Sequence, residues 1–281
     1  SLFGTPDQQA RWLPAVVAGD AVLTGASAEY GANDPFTSSV TATPDGDGWR
    51  LDGAKPAVPA MAVADAVLVP AVAPEGLTVF CVDAGADGLT VELDETTNRE
   101  LHGALTFDSV AVGSDAVVGA VGDGARVVGA TVDRAVIATS AIVLGAAAEA
   151  LRMAAEYTSQ REQFGRPLST NQGVALRAAD SYIDVETIRV SMLQAAWRLD
   201  AGLPAADALE VAKYWAAEAG QRSVHNTQHL HGGMGADIDY PVHRYFLWVK
   251  QIENNHGGSS AHLASLGARI ASSAKAAAGT S

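Results

Sequence analysis

The chain has 281 residues, 48% apolar and 18% charged, which is enough apolar material for a real core and too much for a disordered chain. Eighteen basic residues against thirty-two acidic ones leave a net charge of −14, which argues against a non-specific nucleic-acid binder or an anionic-membrane binder, since both need a basic surface. A single cysteine, Cys81, excludes an intramolecular disulfide and a Cys-based zinc site.

The first residues, SLFGTPDQQARWLP, lack the basic-then-apolar order of a signal peptide, and a short helix is expected over 5–19. Residues 20–120 read as β structure, with short Val, Leu, Ile and Phe runs between turn clusters. The stretch 41–49 is expected as a turn between two strands, because Asp45-Gly46 and Asp47-Gly48 favour hairpin geometry. Strands are predicted at 66–69, 77–82, 89–93 and 104–110. Such spacing points to an antiparallel barrel or sandwich rather than βαβ units.

From about Gly122 the period becomes helical. Val132, Val136, Val143, Ala147, Leu151 and Ala154 fall on one apolar face, and Ala179, Ile183, Met192 and Ala196 repeat the pattern within 172–199. Pro204 suits the first turn of a third helix running to about Leu230. Two more helices are expected at 242–254 and 259–275, and the tail after Ile270 is expected to fray. Long helices with short loops mean an antiparallel four-helix-type bundle, so the fold class is α+β, with a β domain over 1–120 and a helical domain over 121–281. The most apolar stretch, 135–150, contains Thr139, Ser140 and Glu149 and is shorter than the ~20 residues of a membrane span. No membrane span is expected, and a soluble, cytoplasmic protein is.

Two segments carry candidate chemistry. The first is Glu156-Tyr-Thr-Ser-Gln-Arg-Glu-Gln-Phe-Gly-Arg-Pro-Leu168, followed by Gln172 and Ala179-Asp180. Arg161 offers a planar fork of donors suited to a pyrophosphate. Phe164 offers a ring to pack on a cofactor, and Gly165-Arg-Pro167 is expected to end the helix in a turn. The second is His229-Leu-His-Gly-Gly-Met-Gly235, then Tyr240-Pro241 and Arg244. Gly232-Gly233 allows close backbone approach to a phosphate or ribose. His225 and His229 are four apart on a helix with His231 close by, a spacing that can chelate a metal. No Glu follows His225 as in H-E-x-x-H, and no metal is expected.

Together these segments resemble the acyl-CoA dehydrogenase family, whose patterns run roughly Y-x-x-x-R-x-Q-F-G-x-P-(I/L)-x-x-x-Q and Q-(I/L)-H-G-G-x-G…(E/D)-Y-P…R. The start, Gly4-Thr-Pro-Asp-Gln-Gln-Ala-Arg-Trp-Leu-Pro14, is similar to the segment before the family's middle β domain. The resemblance covers nearly the whole chain. It implies an FAD enzyme that dehydrogenates an acyl-CoA thioester between its α and β carbons, with FAD between β domain and helices and across a dimer interface. A carboxylate takes the α proton and the flavin takes the β hydride. An electron-transfer acceptor then reoxidises the flavin. Cofactor contacts carry over to Arg161, Gln163, Phe164, Gln172, His229, Gly232 and Gly233, and the Arg and Gln-Phe positions serve the adjoining subunit's cofactor. The family's N-terminal helical domain is expected to be absent from this chain.

The chain departs from that pattern in three places. The family's usual catalytic Glu lies in a Y-E-G-T-type segment, which here reads Asn255-His-Gly-Gly-Ser-Ser260, with Gly257 in place of the Glu. Members that carry the base on the first long helix place it before an Arg. That pair is Asp133-Arg134 here, so Asp133 is the candidate catalytic base and Arg134 a candidate substrate-binding residue. In the β domain, T-E-P-x-A-G-S-D becomes the segment Ala26 to Asp34, and G-x-K-x-(W/F)-I-(T/S) becomes Gly53-Ala-Lys-Pro-Ala-Val-Pro59. The aromatic and hydroxyl that would touch the isoalloxazine are therefore Ala57 and Pro59. Trans-acting contacts kept beside a lost flavin face resemble one subunit of the actinobacterial α2β2 acyl-CoA dehydrogenases, often steroid side-chain enzymes. The alternative is a non-catalytic scaffold subunit that completes its partner's FAD site.

Overall fold

The computed structural model describes residues 1–32 and 34–278. Asn33, inside the altered 26–34 segment, and the last three residues of the tail lie outside the described residues. Two compact units are present, Ser1–Val132 and Asp133–Ser281, and the division falls inside one long helix.

The first unit opens with helix α1, Pro6–Ala18. Thr5 caps it: its hydroxyl accepts from the Gln8 N–H at 3.2 Å, while Gln8 Oε1 accepts from the Thr5 N–H at 3.0 Å. Eight strands follow: β1 Leu23–Gly25, β2 Thr41–Asp45, β3 Gly48–Val58, β4 Ala66–Ala73, β5 Gly76–Asp83, β6 Leu89–Glu95, β7 Leu101–Val112 and β8 Val117–Val118. They form one sheet in the order β6-β7-β3-β2-β4-β5-β8, with β1 beside β4.

Most pairings are antiparallel, but β1–β4 and β2–β4 are parallel, so the layer expected as antiparallel is a mixed sheet. The cause is topological: β4 hydrogen-bonds to β2 rather than to β3, the strand that precedes it in the chain. The stretch expected as a turn over 41–49 is strand up to Asp45, and only Gly46-Asp47 turns, with Gly46 at φ 61°. Inward residues Val40, Leu51, Val67, Val69, Phe80, Leu105 and Val110 are buried, and Trp49 meets Phe80 edge-on at 5.7 Å. Lys55 is also fully buried. It pairs with buried Glu29, which accepts further from the Ser39 hydroxyl at 2.8 Å. Ala57, at φ 50°, and Pro59 are exposed.

The second unit holds most of α2 (Gly124–Gln160), a small hairpin of β9 (Glu162–Gln163) and β10 (Arg166–Pro167), α3 (Gln172–Asp200), α4 (Ala206–Leu230), a 3-10 turn (Gly232–Ala236), α5 (Val242–Ile252) and α6 (Ser259–Ala278). Pro204 lies just ahead of α4 rather than in its first turn. The tail expected to fray after Ile270 is helical to Ala278. Four helices supply the core: Val143, Leu144, Ala147 and Ala150 from α2, Val185, Ile188 and Met192 from α3, Ala216, Ala219 and Val224 from α4, and Val242, Val249 and Ile252 from α5.

The expected inner face of α3 is corrected. Ala179 and Ile183 are exposed, and the buried stripe is Ser181, Asp184, Val185, Ile188, Ser191, Met192 and Ala195. Period alone could not choose, because α3 is apolar on two faces. Leu176, Ile183, Val190, Leu193 and Trp197 form the second stripe, each more than half exposed. By length and composition α2 is long and apolar enough to cross a membrane. The shorter 135–150 window missed this because α2 continues past both of its ends. In the fold α2 is a core helix of the bundle.

Candidate functional site

The candidate residues gather at two ends of the helical unit. At the first, the end of α2, the start of α3 and the end of α4 converge. Arg161 follows α2, its N–H bonded to the Tyr157 carbonyl at 2.8 Å, and its own carbonyl accepts from the Leu168 N–H at 2.9 Å. Between these bonds the chain makes the β9–β10 hairpin, not the simple helix-ending turn expected. Phe164 and Gly165 are the two turn residues, at φ 55° and 76°, the type I′ signature. The Phe164 ring is 100% exposed. Arg161, Gln163 and Arg166 are exposed beside it, as is Gln172 at the first position of α3.

From α4, His229 is exposed, and its Nδ1 accepts from the Arg177 guanidinium at 2.5 Å, which ties α4 to α3. His231 is buried, stacks on Tyr157 at 4.8 Å and donates Nδ1–H to the Thr227 carbonyl at 2.7 Å. That bond leaves its Nε2 as an acceptor, and burial lowers its pKa, so the ring is neutral. Gly232 turns at φ 59°, and both Gly232 and Gly233 are exposed. His231 Nε2 and Gln228 Oε1 are buried acceptors without a partner.

This donor and acceptor set fits FAD. The arginine and glutamine donors match a pyrophosphate, the two orphaned acceptors match ribose, ribitol or adenine N–H and O–H groups, and the glycines leave room for close approach. His225, by contrast, packs against the Phe246 ring at 4.8 Å. Its neighbours His229 and His231 are engaged separately, and among the described residues no cluster of three potential ligands is placed to hold a metal.

The second end holds the candidate base. Asp133 is half-buried on α2, and its pKa is raised by burial first and by the Glu210 charge on α4, against the lowering effect of Arg134. Arg134 is exposed. Gly257 lies in the turn between α5 and α6 at φ 101°, where a side chain would meet the His262 imidazole about 3.2 Å away. The candidate base and the candidate cofactor contacts thus lie at different ends of the helical unit. α2 spans 37 residues, ~55 Å at 1.5 Å per residue. Asp133, in its third turn, and Arg161, just past its end, are roughly 40 Å apart along the helix.

Sequence reasoning missed the polar partners that shape both ends. Arg177, which holds His229, is one. Around Gly257 the others are Lys213, Glu210 and His262. Their spacing carries no motif; only the packing of α4 against α5 and α6 brings them together.

A family profile described as "Acyl-CoA dehydrogenase, C-terminal domain" matches residues 122–271. The chain is 40% identical to acyl-CoA dehydrogenase FadE27 of Mycobacterium tuberculosis H37Rv over 96% of its own length and 72% of that protein. The chain belongs to the acyl-CoA dehydrogenase family. FadE28 of the same strain is 38% identical, covering 95% of this chain and 75% of the relative.

Among solved structures, the Tcur3481–Tcur3483 steroid ACAD, as its G363A variant, superposes with a TM-score of 0.89 at 46% identity, covering 97% of this chain and 73% of the other. The Mycobacterium tuberculosis ChsE4–ChsE5 complex superposes with a TM-score of 0.88 at 40% identity over 96% and 71%. Each of these two neighbours carries two component names, the first as a steroid ACAD and the second as a complex, and proteins of this family bind FAD. The mixed sheet followed by a helical unit is the acyl-CoA dehydrogenase fold.

Proposed function

We propose that this chain is one subunit of a heteromeric, FAD-dependent acyl-CoA dehydrogenase that acts on a bulky acyl-CoA of the steroid side-chain type. One observation carries the reading: the roughly 40 Å along α2 between Asp133 and the Arg161 hairpin. One flavin site cannot use both ends of this helix, so the hairpin serves a cofactor held mainly by another chain. Three features support this. Phe164 is held in a turn with no packing of its own. The outer stripe of α3, Leu176 to Trp197, offers an apolar helix face of the kind obligate interfaces cover. The steroid ACAD neighbour and the ChsE4–ChsE5 neighbour are both assemblies of unlike subunits.

When bound, FAD supplies the hydride acceptor for the β carbon. This chain's part is to hold the cofactor through Arg161, Gln163, Arg166 and Gln172, with the orphaned acceptors on Gln228 and His231 orienting its hydroxyls and amines. Asp133 is the one carboxylate at a family base position, and burial raises its pKa, which makes it a stronger proton acceptor than a free carboxylate. The second reading, a scaffold subunit without its own chemistry, is favoured by Gly257, which cannot take a proton. Asp133→Asn in the purified assembly separates the two: loss of turnover with FAD retained places the base here, and full activity places it in the partner.

A further inference from the structure

The turn from Glu253 to Gly258 is gripped from two sides. At its entry, buried Lys213 of α4 donates to the last carbonyl of α5, Ile252 at 3.1 Å, and to the first of the turn, Glu253 at 3.0 Å. At its exit, His262 of α6 contacts the His256 carbonyl through Nε2 at 3.0 Å and the Glu210 carboxylate of α4 through Nδ1 at 2.5 Å. Ser265 fills the other Glu210 oxygen at 2.6 Å. Inside the grip the backbone is left-handed at His256 (φ 60°) and at Gly257 (φ 101°). A positive φ costs a non-glycine residue free energy, which the bonds of the grip offset at His256.

We propose that Glu210 and His262 are a positioning pair that fixes the His256–Gly257 turn and so sets the wall of the acyl-CoA site where other family members carry their base. The proposal rests on the acyl-CoA dehydrogenase reading above. The partners dictate the charge. A carboxylate and a backbone carbonyl only accept hydrogen bonds, so His262 satisfies both only as the imidazolium, with an N–H on each nitrogen. Charged and polar groups face this pair from α2, α4, α6 and the turn. Glu210, Lys213 and Asp207 come from α4, and Asp207 accepts from Arg269 at 2.7 Å. Ser265 and Arg269 come from α6, His256 and Glu253 from the turn, and Asp133 from α2 through its interaction with Glu210. Burial, with Lys213 and His262 as neighbouring cations, pushes His256 down to about 4 and leaves it neutral.

The pair also accounts for the glycine. A side chain at 257 would need both a left-handed backbone and the space the His262 ring fills. Gly257 and His262 thus exclude a base from this turn jointly, and replacing the glycine alone does not reopen the position.

The test uses the purified assembly. Hydrogen exchange is followed at the Gly257 amide, which bonds to the Asn254 carbonyl at 3.1 Å, and acyl-CoA kinetics are measured on the same samples. His262→Leu keeps most of the ring's volume and removes both bonds. It should speed exchange of the turn roughly 10-fold and raise KM by more than it lowers kcat. Glu210→Gln keeps one bond and should give a smaller shift in the same direction, which preserves the test where His262→Leu does not fold. Unchanged turn exchange in either folded variant overturns the proposal, as does a loosened turn with KM unmoved. An assembly with no dehydrogenase activity would count against the enzymatic reading alone, because exchange is measured without substrate.

Discussion

Phe164→Asn is expected to improve the chain and impair the enzyme. Phe164 occupies the first position of a type I′ turn at φ 55°, ahead of Gly165 at φ 76°, with its ring fully exposed. A left-handed non-glycine residue costs about 1–2 kcal/mol, and Asn followed by Gly is the preferred pair at such turns. Nothing within the chain is lost with an exposed ring, so the isolated chain should gain ~1 kcal/mol. For a chain of this size that raises Tm by ~2–4 °C. The cofactor reading requires the same ring to be covered in the assembly. Burying a Phe contributes about 1.5–3 kcal/mol, so flavin should bind ~10- to 150-fold more weakly. Thermal melts of the separate chain and flavin-release fluorescence of the assembly measure the two effects. Unchanged flavin affinity would refute the role given to the hairpin, and a lowered Tm would refute the account of its turn.

Other substitutions probe other parts of the account. Arg161→Ala removes a charge-assisted donor worth about 1.5–3 kcal/mol; flavin content after gel filtration should fall, and full occupancy would exclude Arg161 as a phosphate contact. Asp133 must be ionised to accept a proton, and burial raises its pKa. The acid limb of kcat/KM should therefore lie above the ordinary carboxylate range of about 4, and Asp133→Asn should abolish turnover while FAD stays bound. Burial lowers Lys213 to about 8 in the fold. Between that value and its unfolded value near 10.5 the unfolded chain binds more protons, so this group makes stability rise with pH over that window. Denaturant titrations at pH 8 and 10 should show the rise, and Lys213→Met should remove it.

Much of the fold was legible because its signals are local. The turn residues Asp45 to Gly48, the 3.6-residue period of α2 and the breaks at Gly202 and Pro241 mark their elements without tertiary context. What local signals could not settle is how elements pair. The parallel β2–β4 register depends on which strand β4 meets across the sheet. The inner face of α3 depends on which of two apolar stripes meets α4. At the site, Arg161, Gln163, Gln172 and Gly232 are legible as motifs, and the structure brings them to one end of the bundle. Their separation from Asp133 follows only from the length of α2. The grip on Gly257 needs Glu210 and His262, 52 residues apart in the chain and joined by folding.

A flavin site shared between this chain and an unlike subunit, as proposed, fixes the stoichiometry of the assembly. Native mass spectrometry of the purified assembly, combined with its flavin content, should find two kinds of chain in equal number and one FAD per unlike pair. A homo-oligomer of this chain alone, with one FAD per chain and full dehydrogenase activity, would contradict it.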